Sequence, residues 1–340
     1  MPRVEDILNH RQLIDYTKVR TIPPMIGETL FPTAPKLEGI EAELVKGANN
    51  TPIAASIHAF DSETEIGSLE DAKVTLQELA LIKRKYKVTE KEIIALANPR
   101  NSREEAQLIN KLFDHVDILT NGILARVEAM RLEALATGKL TINENGFKAI
   151  IDYGMPSANK VSKKWSDGTG SILDDIYNLS SAIKTATGFK PTRALTSTTT
   201  LNVVLKDATI RKAVFGVNSD MILSVNKLNE FLAANSMPQI AVYDELYRVQ
   251  GKDGKYSTKR YLPESAFVLM PDGKLGDTFY GVTAEELELR NDPSIKLEEI
   301  GNILVEQYNT TDPVAKWIKA VATAMPSFPY ADQVGVITVS

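Results

Sequence analysis

The longest regular pattern of hydrophobic positions in the 340-residue chain lies between residues 102 and 138. Apolar residues recur there at spacings of three and four, which is typical of one buried stripe along an α-helix. Ser102 to Glu105 forms a capping box at its start, and Gly138 suits a left-handed cap at its end. A helix of roughly 35 residues would be about 50 Å long, and Gly122 marks a place where it could bend. The stripe consists of Ile109, Leu112, Val116, Leu119, Ile123, Val127, Met130 and Ala134.

Shorter helices are predicted on both sides of this long one. The segment 69–85 carries apolar residues at helical spacings, and Thr89-Glu90-Lys91-Glu92 is a second capping box. Asp174 or Asp175 can cap a helix that runs to Ala186. Further helices are predicted at 198–207, 210–215, 228–235 and around Trp317.

Alternating and continuous apolar runs predict the strands. Lys139–Ile142 and Phe147–Tyr153 alternate on either side of a turn at 143–146. Asp253-Gly254 supplies the turn of a hairpin between strands 247–249 and 259–262. Further strands are predicted at 194–196, at 240–243 and 266–270 as buried strands, and at 334–339.

The beginning of the chain has little with which to pack on itself. Residues 1–36 contain Pro23-Pro24, Pro32 and Pro35, which fix φ and remove donors, so they predict an extended arm. Ile26, Leu30 and Phe31 on this arm would gain more by lying across another surface, which a neighbouring chain could supply.

Residues 37–67 predict a β-ribbon. Ile40–Val45 alternates, 47–50 has turn chemistry, and Ile53–Phe60 is the returning strand. A lone two-stranded ribbon is only marginally stable in water. Either it is an ordinary hairpin at a domain edge, or copies of the chain complete each other.

Composition narrows the functional classes. The chain has no cysteine, so disulfides, thiolate metal sites and cysteine nucleophiles are excluded. Its net charge is −5, which argues against a basic nucleic-acid-binding face. No apolar run is long enough to span a membrane, and no signal peptide is evident.

Each candidate for chemistry has a simpler structural interpretation. His10, His58 and His115 lack metal-site spacing, and Gly168-Thr169-Gly170-Ser171 lacks the rest of a phosphate loop. Two adjacent aspartates suit a helix start, and two glutamates at alternate positions suit a solvated strand face. A run of three basic residues suits a helix end or weak phosphate binding. The sequence therefore predicts no catalytic, cofactor-binding or metal-binding residue, with a hydrolase of unrecognised site as the alternative. These last candidates are Asp174 and Asp175, Glu41 and Glu43, and Lys83-Arg84-Lys85.

Several segments, in order along the chain, carry a resemblance to a known family. None of them is a catalytic signature, and their order and spacing resemble the phage major capsid protein E family, which includes the lambda-type subunit. The segments are Leu30-Phe31-Pro32-Thr33, Ala59 to Ile66, Met130 to Lys139, Trp165-Ser166 with Ile172 to Ile176, Tyr261-Leu262-Pro263, Phe279-Tyr280-Gly281, Asp312-Pro313 and Ala324 to Val339.

The resemblance implies an α+β, HK97-like capsid fold with no enzymatic activity. Its parts would be an N-terminal arm (1–36), an E-loop hairpin (37–67), a peripheral domain with the long spine helix (68–170), an axial domain (171–310) and a returning C-terminal segment (311–340). It implies self-assembly into hexamers and pentamers of an icosahedral shell around double-stranded DNA, assembled in the host cytoplasm and found in the virion. Scaffold, portal and decoration proteins would be partners, DNA a non-specific cargo, and no membrane would be involved. An encapsulin-like nanocompartment is the alternative.

Overall fold

The computed structural model describes residues 25–46, 73–144, 146–165, 171–216, 221–251, 253–288, 296–312 and 314–340. Most of the predicted arm, and the predicted ribbon turn and returning strand at 53–60, lie outside these ranges.

The described residues form a mixture of helices and mostly antiparallel strands. The helices are α1 (Ile26–Leu30), α2 (Glu90–Ala97), α3 (Ser102–Thr137), α4 (Ile172–Thr187), α5 (Thr198–Lys206), α6 (Ala208–Phe215), α7 (Val225–Ala234) and α8 (Ala284–Glu288). The strands are β1 (Glu41–Lys46), β2 (Lys73–Glu78), β3 (Ala80–Val88), β4 (Lys139–Glu144), β5 (Phe147–Asp152), β6 (Lys160–Lys163), β7 (Arg193–Thr196), β8 (Gln239–Val242), β9 (Leu246–Gln250), β10 (Tyr256–Arg260), β11 (Ala266–Met270), β12 (Thr278–Gly281), β13 (Lys296–Ile300), β14 (Ile303–Thr311), β15 (Val314–Pro326) and β16 (Gly335–Val339).

Contacts divide the chain into two compact units, and the first comprises residues 1–42, 76–130 and 277–326. Its sheet is built around β15, which pairs with β3 along residues 316–324. β14 and β12 pair with β15 along residues 314–321 and 323–326. This arrangement makes β15, at 13 residues, the strand on which the rest of the sheet depends.

Two helix predictions in this unit are wrong, because the segments are strands. Residues 69–85 were expected to be helical, but β2 and β3 occupy that region, and Trp317 lies in β15. In β3, every second side chain from Ala80 to Val88 is more buried, which is the period of a strand. Lys83-Arg84-Lys85 therefore lies within a strand and not at a helix end. Pairing with distant strands overrides a local pattern that fits a helix.

The end of the arm is anchored to its own subunit, which corrects the prediction of an extended segment seeking another surface. Residues 26–30 are helical, and Leu30 and Phe31 are buried. Thr33 and Leu37 form parallel bridges with residues of β12. The Thr278 N–H donates to the Pro32 carbonyl at 2.8 Å. Prolines end the helix, and the extended residues after it then continue the sheet.

The long helix is confirmed. α3 runs through Gly122 without a break and ends before Gly138, whose φ of 68° is left-handed. Its start differs by one residue from the prediction: Asn101, and not Ser102, accepts the backbone N–H of Glu104, at 2.9 Å. The capping box of α2 is confirmed, because the Glu92 carboxylate accepts the Thr89 N–H at 2.9 Å.

The second unit comprises residues 43–75, 131–276 and 327–340. It has a five-stranded sheet in the order β6-β16-β11-β7-β8. All five residues of the predicted core strand β11 are buried. The predicted helices after residue 170 are confirmed as α4 to α7, and their apolar sides pack with the sheet in one core. That core includes Trp165, Ile176, Ile183, Val204, Leu228, Phe267 and Ile337.

Two details of this unit differ from the sequence predictions. The N-cap of α4 is Ser171, whose hydroxyl accepts the Asp174 N–H at 3.3 Å, so neither aspartate is the cap. The strand predicted as buried at 240–243 is the edge strand β8, in which only Ile240 is buried. The apolar residues correctly predicted a strand, but they do not indicate whether the strand lies at the edge or the centre of the sheet.

Candidate assembly surfaces and the buried charge cluster

Those candidates for chemistry that lie in the described residues do not converge. His10, His58 and Gly168 to Gly170 lie outside the described residues. Glu41 and Glu43 are exposed on β1, and Asp175 accepts the Trp165 indole N–H at 3.0 Å. Within the described ranges, no cluster of histidine and carboxylate side chains could hold a metal ion. In the same ranges, no helix is long and apolar enough to cross a membrane.

His115 belongs to a packed group on the first unit. Its ring stacks on Tyr86, with centroids 3.7 Å apart. Burial lowers the pKa of His115, and Lys111 acts in the same direction while Glu92 and Asp114 oppose it. Lys111 donates to the Glu92 carboxylate at 2.7 Å. A ring held neutral by packing fits a structural role.

The sheet of the first unit holds a cluster of buried charges that the sequence patterns did not reveal. Lys319 Nζ lies 2.9 Å from both Glu285 Oε1 and Glu306 Oε1. Lys83 Nζ lies 2.6 Å from the same Glu285 oxygen. The only sequence signal was one charge within each apolar run, Glu306 after Ile303-Leu304-Val305 and Lys319 before Ala320-Val321.

The protonation states of this cluster suit ion pairing. Burial raises the pKa of Glu285, but hydrogen bonds from Lys83 and Lys319 outweigh this effect and lower it to about 2. Burial lowers the pKa of Lys319, but Glu306 and Glu285 together raise it. Glu285 is therefore ionised and Lys319 protonated near neutral pH, which is the combination of charges that attracts the two side chains to each other.

The strand β1 of the predicted ribbon 37–67 pairs with β2, which follows that segment in the chain, and this pair is called the ribbon base here. Ala42 and Leu44 are buried, whereas Glu41 and Glu43 alternate with them and are exposed. Ile40 and Leu76 are also exposed, by 53% and 64%. Ile40, just before β1, and Leu76, on β2, are therefore exposed apolar side chains near the acidic residues of β1, and another molecule could contact them.

A second two-stranded sheet, the β9–β10 hairpin, belongs to the second unit. Its residues pair from Leu246 with Arg260 to Gln250 with Tyr256. The turn includes Gly254 at φ 78°, which confirms the Asp-Gly turn expected from sequence. Every described side chain of β10 is exposed. The hairpin is therefore a second surface, with one face that the described residues leave uncovered.

Comparison with protein families finds a match over most of the chain. A model of the family described as phage major capsid protein E matches residues 10–337. A search of curated proteins finds no match.

Two solved structures share the fold over nearly the whole chain. A prophage capsid protein from E. coli CFT073 is 16% identical, with a TM-score of 0.62, covering 98% of this chain and 99% of that one. A phage-related protein from Bordetella bronchiseptica RB50 is 14% identical, with a TM-score of 0.53, covering 96% and 95%.

Proposed function

The chain belongs to the phage major capsid protein E family, and from that membership we propose that its copies form the hexamers and pentamers of an icosahedral shell around double-stranded DNA. The fold is HK97-like, and a capsid protein has its place in the virion. The observation that carries the proposal is the match to the family over residues 10–337. We further propose assembly in the host cytoplasm, no catalytic activity, and contacts with scaffold, portal and decoration proteins.

The five-part division of the chain also stays a proposal. We place the arm at 1–36, the E-loop at 37–67, the peripheral domain at 68–170, the axial domain at 171–310 and the returning segment at 311–340. Pairing of β15 with β3 supports the return of the last segment to the peripheral domain. Pairing of β12 to β14 with this sheet favours counting 277–310 with the peripheral domain as well.

The ribbon base and the β9–β10 hairpin support the proposal that contacts between copies stabilise the shell. Neither the ribbon base nor the β9–β10 hairpin is covered by described residues on both faces. In a closed symmetric assembly each such contact is repeated many times, so modest contacts add up. The encapsulin-like alternative has less support, because the matching family is that of a phage capsid protein.

Electron microscopy of the purified chain tests this function. We expect negatively stained samples to contain closed shells or capsomers, and sedimentation velocity to show particles far larger than the 37.4 kDa chain. A monomer at every protein and salt concentration, with or without co-expressed phage head proteins, would contradict the proposal.

A further inference from the structure

The two faces of the β9–β10 hairpin differ in chemistry. Tyr247 stacks on the buried Tyr261, with ring centroids 4.7 Å apart, so the face that carries Tyr247 is turned toward its own subunit. Side chains alternate along a strand. The opposite face, called the outer face here, therefore carries Leu246, Arg248, Gln250, Tyr256, Thr258 and Arg260.

The outer face has the composition of a protein interface. Leu246 and Tyr256 are 54% and 55% exposed. The Arg248 guanidinium lies over the Tyr256 ring, 5.3 Å from its centroid. Tyrosine and arginine are enriched among the residues that dominate binding between proteins. An arginine held on an aromatic ring is partly ordered before binding, so it loses less entropy when a partner arrives.

The base of the hairpin is held firmly. Arg260 pairs with Asp244 at 2.8 Å, and Asp244 also accepts the Thr198 N–H at the start of α5, at 3.0 Å. Tyr261 donates its backbone N–H to the Glu245 carbonyl at 3.3 Å. These contacts fix the direction in which the hairpin projects, as a docking element requires.

Charge is divided along the hairpin. Arg248, Lys255 and Lys259 form no ion pair with any carboxylate of the described residues. Glu245 is exposed just before the first strand, and its carboxylate likewise has no cation partner among the described residues. Among the described residues, the hairpin thus presents cations without a carboxylate partner along its length and a carboxylate without a cation partner at its base.

We propose that the outer face of this hairpin docks on a second copy of the chain, head to tail, with Arg248 facing Glu245 at the base of that copy's hairpin. Because Arg248 and Glu245 occupy different positions on the hairpin, each copy can donate one and accept the other. Heterologous contacts of this kind close into rings when the rotation between successive copies closes. The inference rests on the proposed function and assigns residues to one contact within a capsomer.

Exposed apolar side chains favour a protein partner over a polyanion. A site for nucleic acid would depend mainly on cations, whereas here Leu246 and Tyr256 flank the guanidinium on the same face. The chain as a whole carries a net charge of −5, which also opposes binding to a polyanion.

Charge exchange provides the test. We expect Arg248→Glu to place two carboxylates together and weaken association of copies by about tenfold or more, and Glu245→Arg to weaken it similarly. The double variant Arg248→Glu/Glu245→Arg should recover most of the assembly, because each copy again offers opposite charges. Sedimentation velocity and negative-stain particle counts measure the assembled fraction.

Controls separate the possible outcomes. Lys212→Glu makes the same charge change at an exposed position of α6 and should assemble normally. Circular dichroism should show the same fold for all variants, since every substituted side chain is exposed. Assembly of Arg248→Glu at the wild-type level overturns the inference, as does normal assembly combined with lost binding to DNA fragments. Failure of the wild type itself to assemble would instead refute the proposed function.

Discussion

Lys319 balances two carboxylates within the sheet of the first unit. The Lys319 side chain is 17% exposed, and those of Glu285 and Glu306 are 9% and 4% exposed. Buried charges are tolerated only when they are paired, and removing one partner leaves the other uncompensated. Glu285 Oε2 and Glu306 Oε2 already lack a hydrogen-bond partner. The cluster therefore has little capacity to absorb the loss of its cation.

We predict that Lys319→Met lowers the free energy of unfolding by about 3 kcal/mol, because it removes the cation beside the buried Glu306 and leaves Glu285 with only the partly exposed Lys83. Lys83→Met is the matched control: Lys83 contacts the same Glu285 but is 41% exposed, so the expected loss is below about 1 kcal/mol. Urea denaturation of capsomers or monomers measures both. Equal losses of unfolding free energy in the two variants would show that the burial of a lysine does not determine how much its ion pair stabilises the fold.

His115 makes the fold sensitive to mild acid. Burial lowers the pKa of His115 in the folded chain from its ordinary value of 6.5, so the unfolded chain binds the proton more readily. Stability from the neutral ring is complete above pH 6.5 and is lost as the pH falls through 6.5 toward the lower folded pKa. The charged and titratable groups around it are Tyr86, Glu92, Lys111 and Asp114.

We predict that His115→Phe, which keeps an aromatic ring against Tyr86, flattens the decline of stability between pH 7 and pH 5. Urea denaturation at both pH values gives the two slopes. Glu285, whose pKa falls from 4.5 to about 2 on folding, contributes stability at neutral pH that is lost mainly below pH 5, and it does so equally in wild type and variant. If the stability of the variant declined between pH 7 and pH 5 as steeply as that of the wild type, His115 would not be the cause of the acid sensitivity.

At the scale of elements, β12 is where the anchored arm and the sheet meet within the first unit. A Cβ added at Gly281 would overlap the Gly39 carbonyl oxygen and would lie 2.6 Å from Leu79 Cδ1. Glycine is required here by close approach, since its φ is not positive. The arm segment 32–37 can lie along β12 only while this position has no side chain.

We predict that Gly281→Ala destabilises the fold by about 2 kcal/mol through overpacking. Gly39→Ala is the control from the same contact, because a Cβ there would meet nothing nearer than 4.0 Å, and its expected cost is below about 1 kcal/mol. Thermal unfolding compares the pair. Similar melting temperatures for both variants would argue against tight packing of the arm on β12.

Elements were predictable from the sequence where their signals are local. The helix α3 carries its own stripe and a cap at Gly138, and α2 carries its capping box, so both could be located without knowledge of the fold. β3 and β15 could not be located, because their stability comes from pairing Ala80 with Ala324 and Val88 with Lys316, residues far apart in sequence. Alanines at 320, 322 and 324 favour a helix locally, and the sheet overrides that preference.

At the scale of the whole molecule, the order of several segments along the chain predicted the fold and the family better than any single motif did. The family match covers residues 10–337, and the segments that carry the resemblance, from Leu30 to Val339, fall almost entirely within it. Candidate surfaces were less predictable. The ribbon strand at 41–46 follows from alternation, but the unequal faces of the β9–β10 hairpin depend on the stacking of Tyr247 against Tyr261, which no spacing in the sequence reports.

The positions of β15 and β16 have a consequence for synthesis. β15 completes the sheet that contains β3, and β16 is inserted between β6 and β11 in the other sheet. A nascent chain that has not yet emerged from the ribosome beyond residue 313 therefore lacks a central strand of each sheet. Neither sheet can be completed while the preceding residues are translated, and truncated chains keep strands with unpaired edges. Strand order thus delays completion of both sheets until translation has passed β15 and β16.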